Sequence, residues 1–327
     1  MVVVVVVGVL LVSCVEAGQD TLARNAMSPG ISQAQLFIEP DDGPQPVVQF
    51  ISQAQQTLDV GMYLLSDRDV ITALESAEKR GVRVRVMFEE RPFGTGPGNK
   101  AIEAKFRGEK IATAWSPSTF QLSHDKYAVA DSRVALVGTA NWTHSAFVGN
   151  REYELIVTGP TEVAQLEALF NADWNRQAVT LDDAQLVVSP VNSRNNFVAM
   201  IGAATSTLEV EAEEMQDTGI EDALGASAKR GVAVRVVLPA PTGGQDSNAP
   251  GEARISGNGV QVRTLRVPYV HAKIIVVDGR EAFIGSENIS TASLDRNREV
   301  GLLVQDPTVV SRLQSTFGKD WSAGSPP

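Results

Sequence analysis

Cysteine is almost absent, with Cys14 alone in 327 residues. That excludes a disulfide framework and a cysteine-built zinc site. Histidine is nearly as scarce, with only His124, His144 and His271, too few for a multi-histidine centre, so neither metal nor cofactor is expected. Positive charge is short as well: 28 Lys+Arg against 39 Asp+Glu leave a formal net charge of −11. Affinity for long nucleic acids comes mainly from Lys and Arg releasing counterions. Polynucleotides are therefore disfavoured as partners, although a local basic pocket stays open. The apolar run Val2 to Val12, interrupted only by Gly8, falls short of the roughly 20 residues a transmembrane helix needs. What is present in quantity is ordinary for a packed protein: 43 % hydrophobic and 20 % charged residues, enough length for one large or two ordinary domains of about 100–200 residues.

The valine-rich run has the length of the apolar core of a secretory signal. It ends in Leu11-Val12-Ser13-Cys14, which resembles a bacterial lipobox, where cleavage precedes a cysteine that then carries lipid. Residues 1–14 are read as the signal. Residues 15–34, small and polar with Pro29-Gly30, are read as a tether. The expected location is the bacterial cell envelope, exported and either lipid-anchored through Cys14 or periplasmic. One feature departs from this pattern: the first basic residue is Arg24, so none precedes Cys14.

An internal repeat decides the domain organisation. Gln35-Leu36-Phe37-Ile38-Glu39-Pro40 recurs as Gln185-Leu186-Val187-Val188-Ser189-Pro190, and Lys79-Arg80-Gly81-Val82 as Lys229-Arg230-Gly231-Val232. From His124/His271 to Trp174/Trp321 the offset shortens by three residues. The units are domains of residues 35–180 and 181–327. Each reads as alternating strand and helix. Leu36–Ile38 is a strand, Val47–Thr57 has helical spacing, and Leu58–Tyr63 returns to strand. Asp67 is placed to cap a helix that Gly81 stops, and Val82–Phe88 alternates as a strand. That order predicts an α/β fold with mixed, mostly parallel sheets flanked by helices.

The chemistry lies in the second part of each unit. His124-Asp125-Lys126 through Asp131 and His271-Ala272-Lys273 through Asp278 both read H-x-K-x4-D. Both fall in β-rich stretches, where residues two apart share a face, so each imidazole and ammonium should project together. Asp131-Ser132 and Asp278-Gly279 read as turns, and both aspartates as scaffold. Gly138-Thr139-Ala140-Asn141 pairs with Gly285-Ser286-Glu287-Asn288, and Asn150-Arg151-Glu152 with Asn297-Arg298-Glu299. An imidazole that must present one fixed nitrogen commonly needs a carboxylate on the other. Two histidines, two lysines and two asparagines facing each other would cradle a phosphoryl group without a metal.

With these motifs the chain resembles the phospholipase D superfamily over nearly everything after the tether. The resemblance implies two phospholipase D-like domains packed about a pseudo-twofold axis around one shared active site, in a monomer. It implies a phosphohistidine intermediate, with His124 as nucleophile and His271 as general acid and base. Lys126, Lys273, Asn141 and Asn288 would bind the phosphate, joined by Ser286 and Thr139, the latter where the family often has serine. Glu152 and Glu299 would orient the histidines, within a copy or across copies. The substrate would be a phospholipid head-group phosphodiester, cleaved by water or transferred to an alcohol at a membrane. A nuclease of the same superfamily, or a non-catalytic phosphate-binding module, are the alternatives.

Other features have plainer readings. His144 lacks a counterpart in the second copy and suits a core or loop role. Lys79-Arg80 and Lys229-Arg230 end helices, where positive charge favours the macrodipole. Gly94, Gly96 and Gly98 before Lys100 fit no phosphate-loop spacing and read as a rim loop. Trp174 and Trp321 read as core anchors. The acidic stretch Glu209, Glu211, Glu213, Glu214 and Asp217 reads as a solvated strand end.

Overall fold

The computed structural model describes residues 34–93, 98–243 and 246–327. Cys14, the expected signal, nearly all of the tether, and Gly94 and Gly96 lie outside the described residues. The first half runs β1 (Ala34–Glu39), α1 (Gln45–Gln53), β2 (Thr57–Met62), α2 (Arg68–Lys79), β3 (Arg83–Phe88), α3 (Lys100–Gly108) and β4 (Ala112–Trp115). It continues with β5 (Lys126–Ala130), β6 (Val134–Gly138), α4 (His144–Gly149), β7 (Asn150–Val157) and α5 (Pro160–Trp174). The second half opens with β8 (Leu186–Ser189), α6 (Ser193–Ala203), β9 (Thr207–Ala212), β10 (Met215–Gln216), α7 (Thr218–Lys229) and β11 (Ala233–Pro239). Then come α8 (Ala249–Gly257), β12 (Gln261–Leu265), β13 (Tyr269–Val270), β14 (Lys273–Val277) and β15 (Glu281–Gly285). It closes with β16 (Ile289–Ser290), α9 (Thr291–Asp295), β17 (Glu299–Val304) and α10 (Pro307–Ala323).

The two main sheets have the same strand order, β1-β7-β6-β5-β2-β3-β4 and β8-β17-β15-β14-β9-β11-β12. Each is mixed: β2, β3 and β4 run parallel, as do β9, β11 and β12, while the remaining pairs are antiparallel. Strand alternation puts successive side chains into different cores. Tyr127 and Val129 of β5 and Ile274 and Val276 of β14 join one central core drawn from both halves, together with Leu166 and Phe170 of α5 and Leu313 and Phe317 of α10. Ala128 and Ala130 point the other way, into a core under α1 and α2. Ile275 and Val277 do the same under α6 and α7. Both faces of both sheets are covered, which is why the strands read as nearly continuous apolar runs.

One helix differs from its expected length. α1 stops at Gln53 rather than continuing to Thr57, because the next backbone N–H groups have another acceptor. Gln55, Gln56 and Thr57 donate to the Asp131 carboxylate at 2.9, 2.6 and 2.9 Å. Asp278 accepts from Thr205, Ser206 and Thr207 in the same way, at 3.0, 2.8 and 2.9 Å. Burial alone would raise the Asp131 carboxyl, but these donors hold it below its ordinary range. Each aspartate thus ties the end of a hairpin to the loop entering the neighbouring strand. Asp67 caps α2 by accepting from Asp69 and Val70 N–H at 3.0 and 3.2 Å. Arg80 and Arg230 cover the C-terminal carbonyls of the preceding helices, reaching Ser52 at 3.1 Å and Gly202 at 3.0 Å.

Candidate active site

The halves are stitched together at the two histidine segments. Backbone N–H of His124 donates to Arg298 carbonyl at 2.8 Å, and that of His271 to Arg151 carbonyl at 3.3 Å. β13 also runs parallel to β7, pairing Tyr269 with Asn150 and Val270 with Arg151. Each H-x-K segment therefore lies against the N-R-E segment of the other half. The two arginines lock this arrangement. Arg151 Nε donates to Asp320 at 2.5 Å, and Arg298 Nη2 to Asp173 at 2.9 Å, all four residues buried. Asp173 and Asp320 escape a sequence reading that notices only the tryptophans beside them. Trp174 and Trp321 themselves stack on Phe170 and Phe317 at centroid distances of 5.5 and 6.0 Å, at the margin of the central core.

The stitching sets which carboxylate serves which histidine. Nδ1 of His124 lies 2.9 Å from Glu299, and Nδ1 of His271 lies 2.9 Å from Glu152. Both pairs cross between the halves. An ionised carboxylate can only accept, so each Nδ1 carries a proton and each Nε2 is the nitrogen left for chemistry. Burial, with the charges of Lys126 and Lys273, pushes the His124 imidazole below its ordinary range against the pull of Glu299. Burial would raise the Glu299 carboxyl, but His124, Lys126 and Asn297 hold it low. Glu299 also accepts from Asn297 and Ser293 at 3.1 and 2.8 Å, and Glu152 from Asn150 at 3.0 Å.

Both histidines line one cavity of about 420 Å³, with Asn141, Asn288, Glu213 and Tyr63 around them. Asn141 and Asn288 are both in the cavity wall, and Asn288 Nδ2 donates to Glu213 at 3.4 Å. The lysines lie beneath. Lys126 and Lys273 are almost fully buried, and each ammonium reaches back to the carbonyl of its own histidine. Burial, then repulsion from Lys273, pushes Lys126 down to about 7 despite the attraction of Glu299. An anion entering above it would restore its full charge.

Two expected phosphate ligands are placed elsewhere. Thr139 is fully buried; its hydroxyl donates to Glu152 at 2.6 Å and accepts from Tyr153 N–H at 2.9 Å. Ser286 is equally buried and accepts from Val300 N–H at 3.0 Å. Both hydroxyls brace the strands that carry Glu152 and Glu299. His144 is exposed at the start of α4 and is not in the cavity wall. Asp131 and Asp278 stand at the far ends of their strands.

The acidic stretch is also not the solvated strand end expected for it, because β9 is a central strand with neighbours on both sides. Glu209 pairs with Arg235, and Glu211 accepts from the Tyr153 hydroxyl at 2.7 Å. Asp217 caps α7 and pairs with Arg194, while Glu213 and Glu214 line the cavity. A further pair of buried acids, Glu154 and Glu287, stands close to three glycines. A Cβ at Gly138 would meet Glu154 Oε2 at 2.1 Å, and Cβ atoms at Gly285 and Gly301 would meet Glu287 Oε2 at 2.6 and 2.9 Å. Glu154 belongs to β7 and Glu287 to the loop after β15, yet each puts a buried carboxyl behind a histidine-orienting glutamate. Burial first, and then Glu39 and Glu152 for Glu154 or Glu299 for Glu287, drives both well above the ordinary carboxylate range.

A duplicated α/β fold whose H-x-K motifs are cross-braced into one cavity defines a protein of the phospholipase D class. The chain belongs to the cardiolipin synthase, PLD-like domain family, which matches residues 47–174 and 197–321. It is 27 % identical over 285 residues to a cardiolipin synthase of Oceanobacillus iheyensis, a match covering 73 % of this chain and 57 % of that protein. The chain thus spans little more than half the length of that relative. Its fold is similar to that of a phosphatidylserine synthase from Haemophilus influenzae, with a TM-score of 0.69 and 12 % identity across 91 % of this chain and 89 % of the other. A polyphosphate kinase from Porphyromonas gingivalis gives a TM-score of 0.70 at 18 % identity, over 88 % of this chain and 46 % of that one. At these identities the two structures speak to fold alone.

Proposed function

We propose that the protein cleaves a phospholipid head-group phosphodiester through a phosphohistidine on His124 and passes the phosphatidyl group to water or to an alcohol. The observation that carries this reading is the pair of cross-half histidine–glutamate contacts, which leave two Nε2 atoms for one cavity that Asn141 and Asn288 also line. One Nε2 can attack phosphorus while the other protonates the departing oxygen. Lys126 and Lys273 supply positive charge from below as the phosphoryl oxygens gain negative charge. The low overall basicity and the cardiolipin synthase relatives favour lipid over polynucleotide. The lipobox-like Leu11-Val12-Ser13-Cys14 favours a lipid-anchored enzyme of the cell envelope.

The test is a parallel assay of the full chain in detergent on phosphatidylglycerol, phosphatidylcholine, cardiolipin and single-stranded DNA, with and without glycerol. Release of phosphatidic acid or of a new phosphatidyl ester is expected. Cleavage of DNA with no lipid turnover would make the protein a nuclease instead. Labelled fatty acid taken up by the wild type but not by Cys14→Ser would establish the anchor; equal labelling of both would remove it.

A further inference from the structure

The duplication places different residues beside its two histidines. Tyr63 follows β2, and 150 residues later Glu213 follows β9. The Tyr63 ring meets the His124 ring edge-on, with centroids 4.6 Å apart, and Lys126 Nζ lies 4.9 Å from the same ring centre. On the other side there is a carboxylate. Glu213 Oε2 is 2.8 Å from Lys273 Nζ and 3.4 Å from both His271 Nε2 and Asn288 Nδ2. His271 is therefore bracketed by acids, Glu152 at Nδ1 and Glu213 on the Nε2 side. His124 has one carboxylate, at Nδ1, and a neutral ring for its other neighbour.

Resting on the phosphohistidine reading above, we propose that Glu213 breaks the symmetry between the two histidines, holding His271 as the imidazolium acid and leaving His124 as the neutral nucleophile. In the first step His124 Nε2 bonds to phosphorus as the P–O bond to the leaving group breaks, and the Nε2 proton of His271 passes to that oxygen. In the second step neutral His271 takes a proton from water or an alcohol. That oxygen bonds to phosphorus, the P–N bond breaks, and His271 is again imidazolium beside Glu213. Tyr63 at the matching position offers His124 no such charge, so the exchange of roles is disfavoured.

Several other charges face His271. Lys273 of β14 lies 3.2 Å from its Nδ1, Tyr269 of β13 and Glu214 stand beside Glu213, and His124 and Lys126 lie across the cavity. Lys273 and Lys126 oppose the imidazolium, and Glu213 offsets the nearer of them by direct contact. Although burial would raise it, His271 and Lys273 hold the Glu213 carboxyl well below the ordinary range, so its charge persists over any working pH.

Glu213 acts here through His271 and is a positioning residue, so the test must read the imidazole itself. With three histidines in the chain, side-chain nitrogen NMR on labelled full-length protein can follow each ring during a pH titration. In the wild type His271 should keep its imidazolium signature to a higher pH than His124. In Glu213→Gln it should lose that signature about 1–3 pH units earlier, the size of effect an adjacent opposite charge exerts. His144, exposed at α4, should not move, and Glu213→Asp should restore the wild-type curve, which separates lost charge from lost structure. The alkaline limb of kcat/KM on dihexanoyl-phosphatidylcholine should shift with the NMR curve. An unmoved His271 curve, or a His124 that stays protonated longer, overturns the assignment. So does a uniform rise in kcat/KM at every pH, the mark of a carboxylate that merely repels the phosphodiester. If the curves behave as expected and the wild type turns over no diester, the proposed function fails and the charge asymmetry stands.

Discussion

Replacing Lys126 with Met should make the protein more stable and abolish its turnover. The ammonium is fully buried, donates to the His124 carbonyl, and titrates near 7 where a free lysine would titrate near 10.5. Between those values the unfolded chain binds a proton that the native state does not, so native stability rises with pH across the window. At pH 7 the difference costs the native state about 4 kcal/mol, and at pH 9 about 2 kcal/mol, on about 1.4 kcal/mol per pH unit. Methionine fills much the same volume without the charge, and gives up a hydrogen bond of about 1 kcal/mol. The net gain is then about 3 kcal/mol at pH 7 and about 1 kcal/mol at pH 9. Urea unfolding of wild type and Lys126→Met at both pH values measures this directly, and phosphodiester turnover measures what the stability costs in function. A variant less stable than wild type at pH 7, or a gap that fails to narrow at pH 9, refutes the reasoning.

Arg298→Ala should destabilise by about 3–5 kcal/mol, the range for stranding one partner of a buried ion pair. The double variant with Asp173→Ala should cost less than the sum of the two singles; strict additivity in the urea midpoints would show that the pair is not coupled. With an aryl phosphodiester, His271→Ala should accumulate phosphate on the peptide containing His124, because no base remains to activate water, whereas His124→Ala should trap none. Phosphate mapped to His271 would reverse the roles. Turnover of a soluble diester should persist in EDTA, since the groups assigned to the phosphate are N–H donors. Complete loss that added metal reverses would point to a different mechanism.

Much of this protein could be read along the chain. The repeat of Gln35–Pro40 at Gln185–Pro190, with its offset of 150, anticipates two sheets with one strand order. The turn chemistry of Asp131 and Asp278 separates them from the histidines seven residues before them. These features are local, and a period of two or a fixed repeat length records them directly. The failures were local in origin too. Glu209 to Asp217 looks like a solvated run because charge is a good guide to exposure only when the strand has a free edge or face, and β9 has neither. Thr139 and Ser286 looked like phosphate ligands because a hydroxyl near Asn141 or Asn288 carries no mark of which way it points.

What the sequence by itself determined is the inventory: two copies, two histidines, two lysines, two asparagines and two glutamates at equal spacings. Equal spacing is also why it could go no further. Glu152 lies as far from His124 as Glu299 does from His271, so pairing within a copy and pairing across copies look identical along the chain. Only the packing of one half on the other chooses, through Arg151 on Asp320 and Arg298 on Asp173, contacts between residues more than a hundred positions apart. Strand pairing inside each half, β2 on β5 and β9 on β14, likewise makes Tyr63 and Glu213 the unequal neighbours of two otherwise equivalent histidines. Periodicity encodes which face a side chain takes within its own element, whereas the opposing half decides what that face will meet.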